Sequence, residues 1–181
     1  TQNIALGNLA MGQALVTGAN NIAIGTTAMD ALTTGACNVA IGSGALGAAT
    51  TGCYNVAIGI SALAGAVTTG SDNIAIGKQT MDALTSGICN IAMGHHALGA
   101  STTGCLNVAI GISAMGGAIT TGNCNIAIGV NTMDALTTGV FNIGIGIHAL
   151  TNLETGTYNV AIGSSALGGA LTGAGNVGIG G

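Results

Sequence analysis

A five-residue pattern of polar and apolar positions, Asn–aliphatic–small–aliphatic–Gly, returns along the whole chain at intervals of 17 or 18 residues. Its first residues are Asn3, Asn21, Asn38, Asn55, Asn73, Asn90, Asn107, Asn125, Asn142, Asn159 and Asn176. Two aliphatic residues flank one small residue in each copy, which is the period of a β-strand with one buried face. Such regular repetition predicts a solenoid, in which every copy occupies the same place on successive coils.

Residues 21–37 show how one coil is expected to close. Ile22–Gly25 read as a strand that glycine ends, Met29 and Leu32 belong to a second short segment, and Thr33–Gly35 form a corner. Segments of about five residues are too short for stable helices. We therefore predict two short strands and two turns per coil. The expected fold is all-β, a parallel β-solenoid (β-roll) of about ten 17–18-residue coils stacked about 4.8 Å apart, with residues 1–181 forming a single domain.

Equivalent residues of successive coils should form columns. The aliphatic residues are expected to stack inside the solenoid, each contributing about 1.5–3 kcal/mol when fully buried. The asparagines are expected to form a ladder of side-chain amides that bond from coil to coil, with a row of ligand-binding amides as the alternative. The predicted ladder comprises Asn21, Asn38, Asn55, Asn73, Asn90, Asn107 and Asn125. The glycine that ends each strand is expected to have a positive φ or a close backbone neighbour.

The small residue at the centre of each strand is predicted to face outward. It is alanine in most copies: Ala23, Ala40, Ala57, Ala75, Ala92, Ala109 and Ala127. Exposed strand positions commonly carry larger polar residues, and alanine is a poor strand former. This restriction predicts that another copy of the chain packs against the alanine column, with repeat duplication alone as the alternative. The first and last repeats lack polar caps, which predicts end-to-end pairing or a place within a longer rod.

Composition narrows the classes of function. Charged residues make up 3% of the chain, the net charge is −4, and Lys78 is the only Lys or Arg. Nucleic acids and anionic membrane surfaces are recognised through clusters of basic residues, so neither is an expected partner. No block of about 20 mainly apolar residues is present, so membrane insertion is not expected. We also expect no cofactor.

The cysteines recur with the repeat. Cys37 and Cys53 lie on neighbouring coils, and Cys89 and Cys105 repeat this arrangement 52 residues later. We predict two disulfides between these neighbours, each contributing about 3 kcal/mol in the chain-entropy model, and hence an oxidising compartment. Small buried thiols are the alternative. Cys124 has no such neighbour, and it is expected to pair with Cys105 or with another chain.

Titratable residues give little support for catalysis or metal binding. His96 and His148 occupy the same place three coils apart, a separation of about 14 Å along the stack. Asp30, Asp82 and Asp134 recur only at every third coil, whereas calcium-binding β-rolls place Asp at nearly every turn. We expect no enzyme activity. A hexapeptide-repeat-like acyltransferase is a minor alternative, although its six-residue period is absent.

Paired threonines form a ladder at one corner of the coil. They are Thr33 and Thr34, Thr50 and Thr51, Thr68 and Thr69, Thr102 and Thr103, Thr120 and Thr121, and Thr137 and Thr138. A flat threonine array suggests an ice-binding solenoid as an alternative function. Consecutive residues of a strand point in opposite directions, however, which favours corner threonines whose hydroxyls bond to the backbone.

The pattern N-[IV]-A-[IL]-G-x-x-A-[LM], followed by T-T-G, resembles the head repeats of trimeric autotransporter adhesins and related repeats of phage tail fibres and bacterial surface fibres. Asn55–Gly59, Ala62 and Leu63, and Thr68–Gly70 carry this resemblance. It implies a left-handed parallel β-roll, often trimeric, that binds surfaces or spaces a binding tip. We therefore expect a structural, adhesin-like rod that is extracellular, on a cell surface or on a virion. Its expected partner is itself, as a trimer or filament, with a cell-surface receptor or glycan as a further partner.

Overall fold

The computed structural model of the protein describes residues 2–12, 15–65, 68–169 and 172–181. These residues contain eleven parallel strands in one sheet, in sequence order and without helices. The strands are β1 (Ile4–Leu6), β2 (Ile22–Ile24), β3 (Val39–Ile41), β4 (Val56–Ile58), β5 (Ile74–Ile76), β6 (Ile91–Met93), β7 (Val108–Ile110), β8 (Ile126–Ile128), β9 (Ile143–Ile145), β10 (Val160–Ile162) and β11 (Val177–Ile179). Each strand pairs with the strand of the next coil. The predicted all-β parallel solenoid of about ten coils is confirmed.

Equivalent residues lie side by side in the sheet. Ala23 of β2 pairs with Ala40 of β3, and every other junction keeps the same register. Coils of 17 and 18 residues therefore contribute the same three residues to the sheet. The extra residue of an 18-residue coil is accommodated outside the strands.

The second half of the coil is a series of turns, so the prediction of two strands per coil was wrong. Residues 26–31 form consecutive turns, and both Thr27 and Met29 have a φ of 53°. Ala28 and Met29 are neighbours in sequence and both fully buried. A strand cannot bury two neighbouring side chains in one core, because its side chains alternate between two faces. Left-handed backbone at Met29 removes this restriction.

The core lies between the sheet and these turns. Its large side chains come from the turn segment, and fully buried examples are Met29, Leu46, Leu63, Met81, Leu98, Met115, Met133 and Leu150. The sheet supplies only the small residue at the centre of each strand. At Gly144, an added Cβ would lie 3.1 Å from Cε of Met133. The sheet and the turn segment are thus in contact, which leaves room for alanine or glycine and for nothing larger.

This packing contradicts the predicted self-association face of alanines. Ala23, Ala40, Ala57, Ala75, Ala92, Ala109 and Ala127 are each 0% exposed, so the alanine column points inward and no other molecule contacts it. The aliphatic residues on either side, which we expected in the core, point outward instead. The physical reason is the thinness of the core, which holds alanine opposite Met or Leu but has no space for Ile or Val.

One glycine ends each strand and brings successive coils close together. Gly94 has a φ of +132°, and a Cβ added there would lie 2.5 Å from the carbonyl oxygen of Gly111 on the next coil. Both the positive φ and the close approach require glycine at this position. The expectation for the glycine column is confirmed.

Candidate interaction surface

Two columns of aliphatic side chains cover the outer surface of the sheet, and we call this surface the aliphatic face. One column contains Ile4, Ile22, Val39, Val56, Ile74, Ile91, Val108, Ile126, Ile143, Val160 and Val177, and the other contains Leu6, Ile24, Ile41, Ile58, Ile76, Met93, Ile110, Ile128, Ile145, Ile162 and Ile179. All of these residues are half-buried or exposed. Even Met93, in the middle of the stack, is 40% exposed. Stacking along the columns therefore covers the side chains only in part.

The aliphatic face is large and uncharged. Eleven strands at about 4.8 Å spacing, each with three residues of about 3.3 Å, give a footprint of roughly 500 Å². The largest apolar patch on a typical monomeric protein is about 300–600 Å². The six charged residues of the chain, Asp30, Asp72, Lys78, Asp82, Asp134 and Glu154, all lie outside its two columns. The aliphatic face is therefore at the upper end of this range and carries no charge, and apolar patches of this size are often functional.

Two further columns border the aliphatic face. The Asn-side border consists of the residue before each repeat asparagine: Gln2, Asn20, Cys37, Tyr54, Asp72, Cys89, Leu106, Cys124, Phe141, Tyr158 and Gly175. The Gly-side border consists of the residue after each strand-ending glycine: Asn8, Thr26, Ser43, Ile60, Lys78, His95, Ile112, Val130, Ile147, Ser164 and Gly181. None of these residues is buried. Phe141 and Tyr158 stack with a centroid distance of 5.1 Å, which shows that residues of one border touch along the rod.

The asparagines form a continuous ladder on the inner side of the sheet. The backbone N–H of Asn90 donates to Oδ1 of Asn73 at 3.0 Å, and its Nδ2 donates to the same atom at 3.1 Å and to the carbonyl oxygen of Gly104 at 2.8 Å. The backbone bond recurs at Asn21, Asn38, Asn55, Asn73, Asn107 and Asn125. These seven side chains are at most 1% exposed. The amides therefore join successive coils and are not available to a ligand.

The cysteines are all free thiols, so the predicted disulfides Cys37–Cys53 and Cys89–Cys105 are not formed in the structure. The two members of each predicted pair occupy different places on their coils. Cys37 and Cys89 directly precede a repeat asparagine, whereas Cys53 and Cys105 lie one residue earlier. This offset places each cysteine beside a non-cysteine residue in its own column.

Two of the thiols act as hydrogen-bond acceptors. Sγ of Cys53 accepts from the backbone N–H of Ala36 at 3.4 Å, and Sγ of Cys105 accepts from that of Ile88 at 3.4 Å. The next coil continues the series in both cases, because Oγ of Ser71 accepts from the N–H of Cys53 at 3.0 Å and Oδ1 of Asn123 accepts from the N–H of Cys105 at 2.7 Å. Thiol, hydroxyl and amide thus accept the same kind of bond, and this accounts for a cysteine recurring at this place without a disulfide.

The threonine corner is held by side-chain-to-backbone bonds. Oγ1 of Thr33 donates to the carbonyl oxygen of Thr50 at 2.9 Å, and Oγ1 of Thr85 donates to that of Thr102 at 3.0 Å. The second residue of each pair, such as Thr34, is exposed. The first hydroxyl of the pair is therefore engaged in the corner, as the corner-forming interpretation predicts.

Some of the acidic and histidine residues lie close together, as Asp82 does with His96 and His95. Burial raises the pKa of the Asp82 carboxyl above its ordinary value, and His96, a backbone hydrogen bond and His95 partly oppose this shift. Oδ1 of Asp134 is buried without a hydrogen-bond partner. Among the described residues, no three His, Cys, Asp or Glu side chains come together in a way that fits a metal ion. In the same part of the chain, no helix has the length and hydropathy to cross a bilayer.

Neither a protein-family model, a curated protein nor a solved structure matches this chain. The repeat fold therefore rests on the structure itself. Identity with adhesin heads or tail fibres stays a prediction from the repeat pattern.

Proposed function

We propose that this chain is a structural, non-enzymatic subunit that self-associates into a rod, in which other copies cover its aliphatic face. The observation that carries this proposal is the outward orientation of both aliphatic columns along all eleven strands. Exposed Ile and Val on this scale disfavour an isolated soluble rod, because each remains partly in contact with water. The rod is proposed to act outside the cell or on a virion, and a receptor or glycan partner follows from the resemblance alone.

The aliphatic face and its two exposed borders together fit a stable protein interface. The face alone has a footprint of roughly 500 Å², and the borders extend it towards the roughly 800 Å² that one partner contributes to a standard interface. The two columns contain no charged side chain, so covering them does not desolvate an ion. The interface core would thus be apolar, as in permanent assemblies.

A second copy of the chain is the partner that fits the face best. Both columns repeat with the strand spacing of about 4.8 Å, and another copy has the same repeat along its whole length. Each row of side chains in one copy then meets an equivalent row of the other at every coil. A partner without this repeat would match the face at only a few places.

The proposal is tested by placing charge on the aliphatic face. Ile58→Glu combined with Ile110→Glu leaves the core untouched, because both side chains point outward. We expect the unmodified protein to sediment as a multiple of its 17.0 kDa chain, and the double variant to sediment as a monomer with unchanged circular dichroism. The apolar contact is lost because the carboxylates would be buried without partners.

Thr51→Glu combined with Thr103→Glu is the matched control, since it adds the same charge on the exposed threonine corner of two coils. This control is expected to assemble like the unmodified protein. A monomeric unmodified protein, or equal assembly of all three proteins, would overturn the proposal.

A further inference from the structure

The two borders of the aliphatic face change character together along most of the rod. On the same coil, polar residues match polar ones (Gln2 with Asn8, Asn20 with Thr26), apolar residues match apolar ones (Tyr54 with Ile60, Leu106 with Ile112, Phe141 with Ile147), and the one acid on the Asn-side border matches the one Lys on the Gly-side border (Asp72 with Lys78). The exception is Tyr158, whose counterpart is Ser164. Contact between the two borders would produce such a correspondence.

That contact cannot occur within one chain. The two borders lie at opposite ends of the same strand, six residues apart, or up to about 20 Å of extended backbone. Asp72 and Lys78 are both exposed. Across the described ranges, neither residue forms an ion pair inside the chain. The correspondence therefore points to contact between chains.

The symmetry of the assembly determines which borders meet. When copies are arranged around an axis parallel to the coil stack, the Asn-side border of one copy lies against the Gly-side border of the next. Parallel copies in register bring residues of the same coil together. Face-to-face copies that run in opposite directions bring like borders together, which places Asp72 near Asp72 when they are centred on this coil.

We propose that the copies are parallel and in register, and that Asp72 of one copy forms an ion pair with Lys78 of the next. This inference rests on the proposed self-association and specifies its geometry. Repeated aliphatic rows tolerate a slip by one coil, because every coil offers nearly the same side chains. For example, a slip by one coil would place Asp72 of one copy against Ile60 of the next. The same slip would place Lys78 against Cys89, so both charges would lose their partners. The ion pair thus fixes the register that the aliphatic face leaves open.

Zero-length carbodiimide cross-linking tests the pair directly. Lys78 is the only Lys or Arg of the chain, so the side-chain amine in any cross-link is known. Mixing unlabelled and 15N-labelled protein before cross-linking distinguishes bonds between chains from bonds within one. We expect mass spectrometry to find Lys78 of one chain joined to Asp72 of another. In an assembly of confirmed mass, an interchain bond from Lys78 to Asp30, Asp82, Asp134 or Glu154 instead of Asp72, or no interchain bond, would overturn the inference.

Charge reversal provides the second test. Asp72→Lys alone and Lys78→Asp alone each place like charges across the contact, and each is expected to weaken assembly roughly tenfold or more at low salt. An equal mixture of the two single variants restores opposite charges at every contact between unlike chains, and we expect it to assemble more strongly than either variant alone. The double variant, which exchanges the two charges, should assemble as the unmodified protein does.

Three outcomes separate this inference from the function on which it rests. A monomeric unmodified protein contradicts the proposed self-association itself. Assembly of both single variants with unchanged affinity contradicts the ion pair and leaves self-association in place. Weak single variants that are rescued neither by mixing nor by the double exchange contradict the parallel in-register arrangement.

Discussion

Each repeat asparagine uses its side chain on both sides of its own coil. Oδ1 of Asn90 accepts from the backbone N–H of Asn107 at 3.0 Å and from its Nδ2 at 3.3 Å. Nδ2 of Asn90 donates to the preceding asparagine and to Gly104. The place requires two donated bonds and one acceptor atom, which an amide provides. A carboxylate has no donor and a hydroxyl has only one, so neither replaces it.

Asn90→Ala is therefore expected to destabilise the protein although the side chain lost is small. It leaves the buried N–H of Asn107 and the carbonyl oxygen of Gly104 without a partner, and one buried unsatisfied group costs about 1–3 kcal/mol. We expect the free energy of unfolding to fall by about 3 kcal/mol, measured by urea titration with circular dichroism.

Asn8→Ala is the matched control, because Asn8 is exposed on the Gly-side border. Its free energy of unfolding should remain within about 0.5 kcal/mol of the unmodified protein. Equal stability of the two variants would contradict the role of the ladder.

The orientation of Ala and Ile shows what the sequence reveals at this scale and what it does not. Alternation along Ile22, Ala23 and Ile24 correctly indicates a strand with two different faces. It does not indicate which face meets the core, because this depends on the distance to the opposite wall. Met133 lies so close to the sheet that a Cβ at Gly144 would be 3.1 Å from its Cε. This distance is set by the folded coil and cannot be read from the sequence.

Among the elements of the coil, the strand was predictable and the turn segment was not. The strand follows from alternation and from glycine at its end. In the turn segment, Gln79 and Met81 have φ values of 53° and 51°, and such residues seldom adopt the left-handed region. Glycine, the usual indicator of that region, is absent at both positions. No local sequence signal therefore identifies these turns.

The glycine at the end of each strand determines how closely successive coils approach. Gly94→Ala places a Cβ 2.5 Å from the carbonyl oxygen of Gly111 and requires alanine at a φ of +132°. Backbone on both sides leaves no flexible side chain to move aside. We expect the free energy of unfolding to fall by about 2 kcal/mol or more, measured as a lower midpoint of thermal unfolding.

Gly169→Ala provides the comparison for this prediction. A Cβ at Gly169 meets no atom within 4 Å, so its thermal midpoint should remain near that of the unmodified protein. Two variants with the same midpoint would show that the strand-ending glycines are not required by close packing.

At the scale of the whole molecule, the solenoid separates its two apolar regions. The inner region is a thin core of Ala, Met and Leu that the chain closes by itself, and the outer region is the aliphatic face, which the chain leaves open. The sequence contains the information on the borders, because residues six positions apart match in most repeats. The match can be assigned to contact between chains only when the structure shows that both positions are exposed and that the strand separates them.

Closure of the aliphatic face by other copies is the central claim. Electron cryo-microscopy of the unmodified protein at high concentration tests it most directly, because a cross-section shows which side of each solenoid meets its neighbours. We expect parallel copies around a common axis, with strands at equal heights and the Ile and Val columns inside. Isolated single solenoids, or assemblies in which the threonine corner forms the contact and the aliphatic face remains in water, would contradict it.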